Sequence, residues 1–391
     1  MAERRAVVVG GGIGGLAAAV ALRRRGWRVE VLERAERFAE IGAGISLWPN
    51  ALRALDRLGL ASRLRALGAV ERGGGMRDRA GRWLSRTDNA EIERRFGWPL
   101  LVLHRADLLG ALADALPADV LRPGCPVHEV RQDGAGVTVA HGAGTSRADL
   151  VVAADGLRSA VRARWWPGAA APRYAGHTAW RMVTDPLPAP PTEGAATWGR
   201  GERFGYTALP GGRVYCFAAA TVPEGTPEAE AGGAGSRGEH AELRRRFGDW
   251  PDPIPDLLAR VPPERVLRHD VYELPPLASF ANGRIALLGD AAHAMTPNLG
   301  QGACQAIEDA VVLADRLAAE ADVDQALAGY DRLRRPRTQA IVRRSARLGR
   351  VGQLAWPPAV LARDVAARLT PAALTLRSMA PVLGWTPDEA R

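Results

Sequence analysis

Residues 6–33 open with Ala6-Val7-Val8-Val9 and run into Gly10-Gly11-Gly12-Ile13-Gly14-Gly15. An alanine-rich segment from Leu16 to Arg25 follows and closes at Gly26, and then Val29 to Leu32 lead into the acid Glu33. This is strand, glycine turn, helix, strand and carboxylate. Glu33 stands about 18 residues beyond the third glycine of the motif, near the spacing of a dinucleotide-binding fingerprint. Gly10 permits the tight turn, Gly12 lets a pyrophosphate approach the backbone, and Gly15 lets helix and strand pack closely. The helix start at Ile13 and Gly14 offers unpaired N–H groups and a positive dipole to phosphate. Glu33, with Arg34 beside it, is placed to accept hydrogen bonds from a ribose diol. A secretory signal would share Arg4, Arg5 and the apolar stretch. The glycines, however, break the helix that a signal needs, and the matched strand ending in Glu33 would then be coincidence.

The 391 residues suffice for two domains with substantial cores, and 47% hydrophobic with 24% charged residues is a globular composition. No apolar run is long enough to span a membrane. The net charge of +9 points weakly to nucleic acid, because all 52 basic residues are arginine and they are scattered rather than striped. The absence of lysine excludes Schiff-base, Walker-lysine and lysine-base chemistry. Cys125, Cys216 and Cys304 are too few and too dispersed for a disulfide framework, which suits a cytoplasmic protein. The seven histidines show no metal-ligand spacing, so no metal site is expected. No Gly-x-Ser-x-Gly elbow is present.

The pattern predicts helices from Pro49 to Leu58 and from Arg105 to Leu116, and strands at Val127–Arg131, Val137–Ala140 and Leu150–Ala154. Beyond Pro167, Thr178–Val183, Ala196–Gly199, Phe204–Leu209 and Arg213–Ala220 read as an antiparallel sheet with a hairpin turn at Pro210-Gly211-Gly212. Residues 223–239 read as a loop, and His240 to Phe247 as a helix. Ile285–Leu288 is a buried strand, Gly302 to Ala319 a long helix, and the last fifty or so residues amphipathic helices.

Two further strand ends carry acids. Gly289-Asp290 follows Ile285–Leu288, and Asp155-Gly156 follows Leu150–Ala154. In open α/β sheets ligands bind at such carboxyl ends, although each pair alone also fits a turn and a helix cap. Gly300 and Gly302-Ala303 open the long helix and expose N–H groups there.

Together the fingerprint with Glu33, the segment Ala153-Ala154-Asp155-Gly156-Leu157-Arg158-Ser159 and the segment Leu287-Leu288-Gly289-Asp290-Ala291-Ala292-His293 resemble the single-component FAD-dependent aromatic hydroxylases of the para-hydroxybenzoate hydroxylase fold. Gly42-Ala43-Gly44-Ile45, Trp48-Pro49-Asn50 and His104-Arg105-Ala106-Asp107-Leu108 match as well. Arg173-Tyr174-Ala175-Gly176 and Gly201-Glu202-Arg203-Phe204 look most like the urate, salicylate and hydroxynicotinate hydroxylase branch.

The resemblance implies an α/β fold: a Rossmann-type FAD-binding domain (1–75, 101–172 and 273–335), an inserted antiparallel β-sheet substrate domain (76–100 and 173–272) and C-terminal helices (336–391). It implies FAD bound by Gly10, Gly12, Ile13, Gly14, Gly15, Glu33, Arg34, Gly44, Ile45 and Arg105 from the first part of the chain. Asp155, Gly156, Gly289, Asp290, Gly300, Gly302 and Ala303 complete that set. NAD(P)H would be a transient reductant, and O2 would add to the reduced flavin as a C4a-hydroperoxide that hydroxylates an aromatic small molecule. Pro297 would lie near the reaction centre, with Arg203 and Tyr215 as the other candidate catalytic residues. Arg203 fits a solvated charge beside a turn equally well, and His177, Tyr206 and Tyr215 also fit structural places. Trp180, Trp198, Phe204, Tyr206, Tyr215 and Phe217 are candidates for an aromatic pocket. His293 reads as structural. Arg343, Arg344, Arg347 and Arg350 read as a solvated face or a docking stripe.

A flavin-dependent halogenase would need a catalytic lysine and a Trp-x-Trp-x-Ile-Pro segment, and the chain has neither. An epoxidase or natural-product tailoring oxygenase keeps every motif. From a different class, a flavin-binding redox module without oxygenase activity does so too. No nucleic-acid partner and no membrane span is expected, and monomer and homodimer both stay open.

Overall fold

The computed structural model describes residues 4–38, 43–134, 136–225 and 236–387. Its centre is a six-stranded sheet in the order Ala281–Asn282, Ile285–Leu287, Leu150–Ala153, Arg5–Val9, Arg28–Leu32, Leu121–Arg122. All neighbours are parallel except the hairpin pair at 281–287. The apolar runs Ala6–Val9 and Leu150–Ala153 are buried along their whole length, as strands covered on both faces must be. The helices Ile13–Arg23 and Gly302–Ala319 pack on each other and share this core, and Val130, Val137, Val139 and Ala148 of the three-stranded sheet Val127–Asp133, Gly136–His141, Gly144–Ala148 join it as well.

A second sheet of seven strands runs in the order Leu267–Glu273, Arg173–Val183, Val214–Ala220, Glu202–Ala208, Gly194–Trp198, Gly73–Asp78, Trp83–Asp88. It is antiparallel apart from the pairing of Gly194–Trp198 with Gly73–Asp78. The predicted hairpin turn is a single 3-10 turn at Pro210–Gly212, and both its glycines take left-handed φ. Gly73–Asp78 has no apolar alternation to announce it. Glycine serves there because a Cβ at Gly75 would collide with the Ser85 carbonyl of the neighbouring strand.

The other predicted helices and strands are present with shifted ends. The helix at Arg105 stops at Ala113 rather than Leu116, ahead of the turn that Pro117 enforces. A helix at Ser236–Phe247 begins inside the stretch read as loop, of which residues 226–235 lie outside the described residues. Three helices, Val323–Gly352, Pro357–Leu369 and Ala372–Leu383, end the chain. Arg344 does not wait for an outside partner. It donates to Ser378 Oγ at 3.0 Å, while Arg337 donates to the carbonyls of Pro381 and Val382, so both tie the last helix down. Arg343, Arg347 and Arg350 are exposed. Among the described residues no helix is long and apolar enough to cross a membrane.

Candidate active site

Parallel register puts four strand ends in one row. Val9 faces Leu32 on one side and Ala153 on the other, and Ala153 faces Leu287. The glycine turn, Glu33, Asp155-Gly156 and Gly289-Asp290 therefore share a single edge of the sheet, and the strand order reverses there: Arg5–Val9 is followed by a strand on one side and Leu150–Ala153 by strands on the other. Gly10 has a φ of +104°, and a side chain on it would strike the Ala154 carbonyl. A Cβ on Gly15 would strike the carbonyl of Gly10, whereas one on Gly12 would meet nothing within 4 Å. Ile13 is buried, and Gly14 makes room for Leu288 and Ala306. Ile13–Arg23 has no side-chain cap and no acid in its first turn, so its free N–H groups face the open space at Gly12.

Glu33 already grips this loop: its oxygens accept from the Gly11 N–H at 2.6 Å and the Ala35 N–H at 2.8 Å. Arg34 is exposed. Asp155 Oδ2 accepts from the Val161 N–H at 3.2 Å, and its buried Oδ1 lacks a partner. Gly156 and Gly289 take left-handed φ. Asp290 is exposed at the start of the short helix Asp290–His293.

A second uncapped helix joins this edge. Pro297–Leu299 forms a 3-10 turn with Pro297 exposed, Gly300 is left-handed, and Gly302–Ala319 starts with no side-chain cap and no acid. A Cβ on Gly302 would meet nothing within 4 Å, and Ala303 follows it in the same first turn. Beneath lies a buried polar cluster that the periodicity did not reveal. Arg334 Nη1 donates to Glu308 at 2.6 Å and Arg334 Nε to Asp309 at 2.6 Å. His293 Nε2 sits 2.6 Å from Asp309 Oδ2, which also accepts from the Gly289 N–H at 3.1 Å. Asn50 donates to Glu308 and to Gln301. Burial pushes the Asp309 carboxyl up, but His293 and Arg334 outweigh it and hold it down at about 2. His293 is thus structural, and it orients the turn carrying Asp290. The signal for this cluster was an adjacent acid pair inside an otherwise apolar helix.

The seven-stranded sheet meets this edge with one face. Directly paired residues share a face, so Trp198, Arg203, Ala219, Ala179 and His269 form one row, and Gly205, Phe217 and Arg181 the next. Trp180, Phe204 and Tyr206 belong to the other face, where they pack with Phe247 and Trp250 in a separate core. The six-aromatic pocket is therefore corrected to Trp198, Tyr215 and Phe217, because strand alternation sends the other three away.

Tyr215 packs over the backbone of Gly44, whose absent side chain makes room for the ring, and Ile45 follows on the same short strand Gly44–Leu47. Gly42 lies outside the described residues. The Arg105 backbone N–H donates to the Ala43 carbonyl at 2.9 Å. Desolvation and the neighbouring Arg181 lower the Arg105 pKa, and Asp290 and Tyr215 partly restore it. Those four side chains thus share one electrostatic environment. Arg203 is 6% exposed and donates to Asn298 beside Pro297, while its Nε lacks a partner. Burial alone pulls its guanidinium down to about 10. His177 Nδ1 lies 3.2 Å from the Ala175 carbonyl, which sets it as the N–H donor and leaves Nε2 buried and unpartnered. Desolvation, with Arg203 adding to it, lowers the His177 pKa to about 4.

The residues fit FAD on three counts. There is open space before Gly12 and Gly302, two helix N-termini lack caps, and the Asp155 Oδ1 is orphaned among them. The sequence matches the family described as FAD binding domain over residues 3–183 and 276–345. It is 40% identical over 355 residues to the aurachin C monooxygenase/isomerase of Stigmatella aurantiaca, covering 89% of each chain. The FAD-dependent urate hydroxylase of Klebsiella pneumoniae is 34% identical over 345 residues, covering 86% of this chain and 88% of that one. The crystal structure of Klebsiella pneumoniae HpxO complexed with FAD and uric acid superposes with a TM-score of 0.90 at 30% identity, over 97% of this chain and 96% of that one. The chain belongs to the FAD-binding-domain family and is a flavoprotein monooxygenase with the fold of the para-hydroxybenzoate hydroxylases.

Proposed function

We propose that this chain uses NAD(P)H and O2 to hydroxylate an electron-rich aromatic or heteroaromatic ring that carries an anionic or carbonyl oxygen close to an N–H or O–H group. The observation behind this reading is the pair of orphaned nitrogens, Arg203 Nε and His177 Nε2, one a cationic donor and the other a neutral acceptor. Buried polar atoms without partners are costly, and a substrate bearing the complementary pair would relieve both. FAD, when bound, supplies the redox chemistry, taking electrons from NAD(P)H and delivering one oxygen atom of O2 to the ring.

The protein's part is binding, orientation and charge. The helix starts at Gly12 and Gly302 receive the pyrophosphate and the pyrimidine edge of the flavin. Glu33, Asp155 and Asp290 take hydroxyls of the ribose and ribityl chains, and Arg105 takes the pyrophosphate. Arg203 holds the substrate oxygen. His177 Nε2 accepts the hydrogen of the neighbouring N–H or O–H group, which raises electron density in the ring. Phe217 and Tyr215 exclude water, and Pro297 bounds the space from the other side. The uric acid in the HpxO crystal carries ring N–H groups beside carbonyls, in keeping with this pairing.

A screen of hydroxylated aromatic acids, purines and quinolones for ligand-triggered NADH and NADPH oxidation tests the reading. A true substrate gives a product one oxygen heavier, with the label taken from isotopically heavy dioxygen. Nucleotide oxidation that no aromatic ligand stimulates, with no oxygenated product, would leave only a flavin redox module. Asp290→Ala is expected to purify colourless, and a fully yellow variant would remove Asp290 from the flavin site.

A further inference from the structure

Eight large apolar side chains are exposed among the described residues, and six of them lie between Val351 and Leu374. Trp356 is 69% exposed, Leu361 67% and Leu369 76%, with Val351, Val365 and Leu374 beside them in the chain. Monomeric proteins seldom leave such a concentration in water without a use for it. The helix Pro357–Leu369 shows why the stripe faces out. Arg363 on its inner side stacks on Trp198, with the guanidinium 5.3 Å from the ring, and donates to the Gly199 carbonyl at 3.1 Å. At roughly 100° per residue, Leu361 and Val365, two positions either side of Arg363, point almost directly away from it. Pro358 and Leu369 fall towards that same outer side, while Arg368 reaches back to pair with the buried Asp78.

The charge around the stripe has one sign. From residue 343 to 377 the chain carries seven arginines, and Asp364 is the one acid, already paired with Arg363. Arg343, Arg347, Arg350 and Arg377 are exposed, with no acidic partner among the described residues. Arg347, Arg350 and Val351 share a helix face, so the cations adjoin the apolar surface rather than lying across the molecule. Two copies meeting through this face would set arginine against arginine. An apolar stripe rimmed by arginine, with an exposed tryptophan at its start, matches a helix lying in the headgroup region of an anionic bilayer.

We propose that the outer face of Pro357–Leu369, with Trp356 and the exposed arginines of the preceding helix, docks this enzyme on anionic lipid membranes without crossing them. The inner side of the same helix rests on Trp198, and a Cβ at Gly352 would lie 3.2 Å from Arg203. The docked face is thus one helix away from the buried Arg203, so apolar aromatic molecules dissolved in lipid would be concentrated beside that region.

The test is co-sedimentation of the full-length, flavin-loaded protein with two vesicle types: phosphatidylcholine alone, and phosphatidylcholine with an equal part of phosphatidylglycerol. Binding is expected to the mixed vesicles and to fall with added salt. The combined L361S, V365S and L369S substitutions should weaken partition more than tenfold while leaving flavin content and thermal unfolding unchanged. Arg347→Gln and Arg350→Gln should each weaken it about fivefold. Loss of a vesicle-induced blue shift in Trp356→Phe would add spectroscopic support. No sedimentation of the wild-type chain, or equal sedimentation of the triple variant, would overturn the proposal. So would a dimer seen by light scattering that the triple substitution dissociates, since a second copy would then be the occupant.

Discussion

Arg203 and His177 sit uncomfortably in the fold. Each is buried, each keeps one nitrogen without a partner, and the cation depresses the basicity of its neighbour. A buried donor or acceptor left unpaired costs about 1–3 kcal/mol, so the pair is stable only because the surrounding sheet fixes it. If Arg203 holds the substrate as proposed, replacing it with alanine removes a charge-assisted contact. A rise in KM of about 10- to 100-fold is expected, with flavin content unchanged. An unaltered KM would take Arg203 out of substrate binding. The pH dependence of folding reports on His177. Its folded pKa of about 4 lies below the ordinary value of 6.5. Between those two values the unfolded chain binds a proton that the folded chain refuses, so stability falls as the solution is acidified through that window. The loss from this one group is on the order of 3 kcal/mol. His177→Gln should flatten the unfolding free energy between pH 6.5 and 4, measured by urea titration at each pH. An unchanged slope would mean that another group carries the acid sensitivity.

The fingerprint helix separates binding from folding at two glycines three residues apart. Gly12 caps the helix with ordinary backbone angles and faces open space, whereas Gly15 lies against the carbonyl of Gly10. Gly12→Ala should leave the flavin-free protein within about 0.5 kcal/mol of wild type but sharply reduce flavin retention. Gly15→Ala should cost about 1–3 kcal/mol in the flavin-free protein, because helix and turn must part. Unfolding curves of both apo variants, with flavin absorbance after reconstitution, check this, and the reverse pattern would exchange the two roles. These positions were legible in the sequence because everything they do is local: strand, turn and helix are adjacent in the chain. The strand Gly73–Asp78 was not legible, since its glycines carry no side-chain period and one of its two partners, Gly194–Trp198, lies more than a hundred residues away. Strand alternation likewise told which of Trp180, Phe204, Tyr206, Tyr215 and Phe217 share a face. It did not tell which face meets the nucleotide-binding edge, because packing between sheets decides that.

Across the whole molecule, one buried ionic cluster couples the long helices to the flavin edge. Arg334 is 1% exposed and joins Glu308 and Asp309 across two helices, while Asp309 holds the Gly289 N–H and Glu308 holds Asn50. The acid pair was visible inside an apolar helix, but the arginine 25 residues further on was one of 52. Only the crossing of Gly302–Ala319 with Val323–Gly352 selects it. Removing one member of such a set strands the others, and the expected cost of Arg334→Met is about 3–5 kcal/mol. The pH dependence gives this prediction its signature. In the wild type the depressed Asp309 contributes stability above its ordinary value of 3.8, and this is lost as pH falls towards about 2. Without Arg334, Glu308 keeps Arg337 and Asp309 keeps His293, but each has lost a cationic partner. Both therefore bind protons at higher pH than in the wild type, and acid relieves part of the strain on the variant. The deficit of Arg334→Met relative to wild type should therefore be greatest near neutrality and shrink as pH falls through the carboxylate range. Replacing Glu308 and Asp309 with their amides in the same protein should restore part of the loss, since no buried carboxylate is then short of a cation and only the more exposed Arg337 loses its ion pair. Urea unfolding at neutral and acidic pH measures all three proteins. A deficit that stays constant with pH would show that Arg334 acts through packing alone.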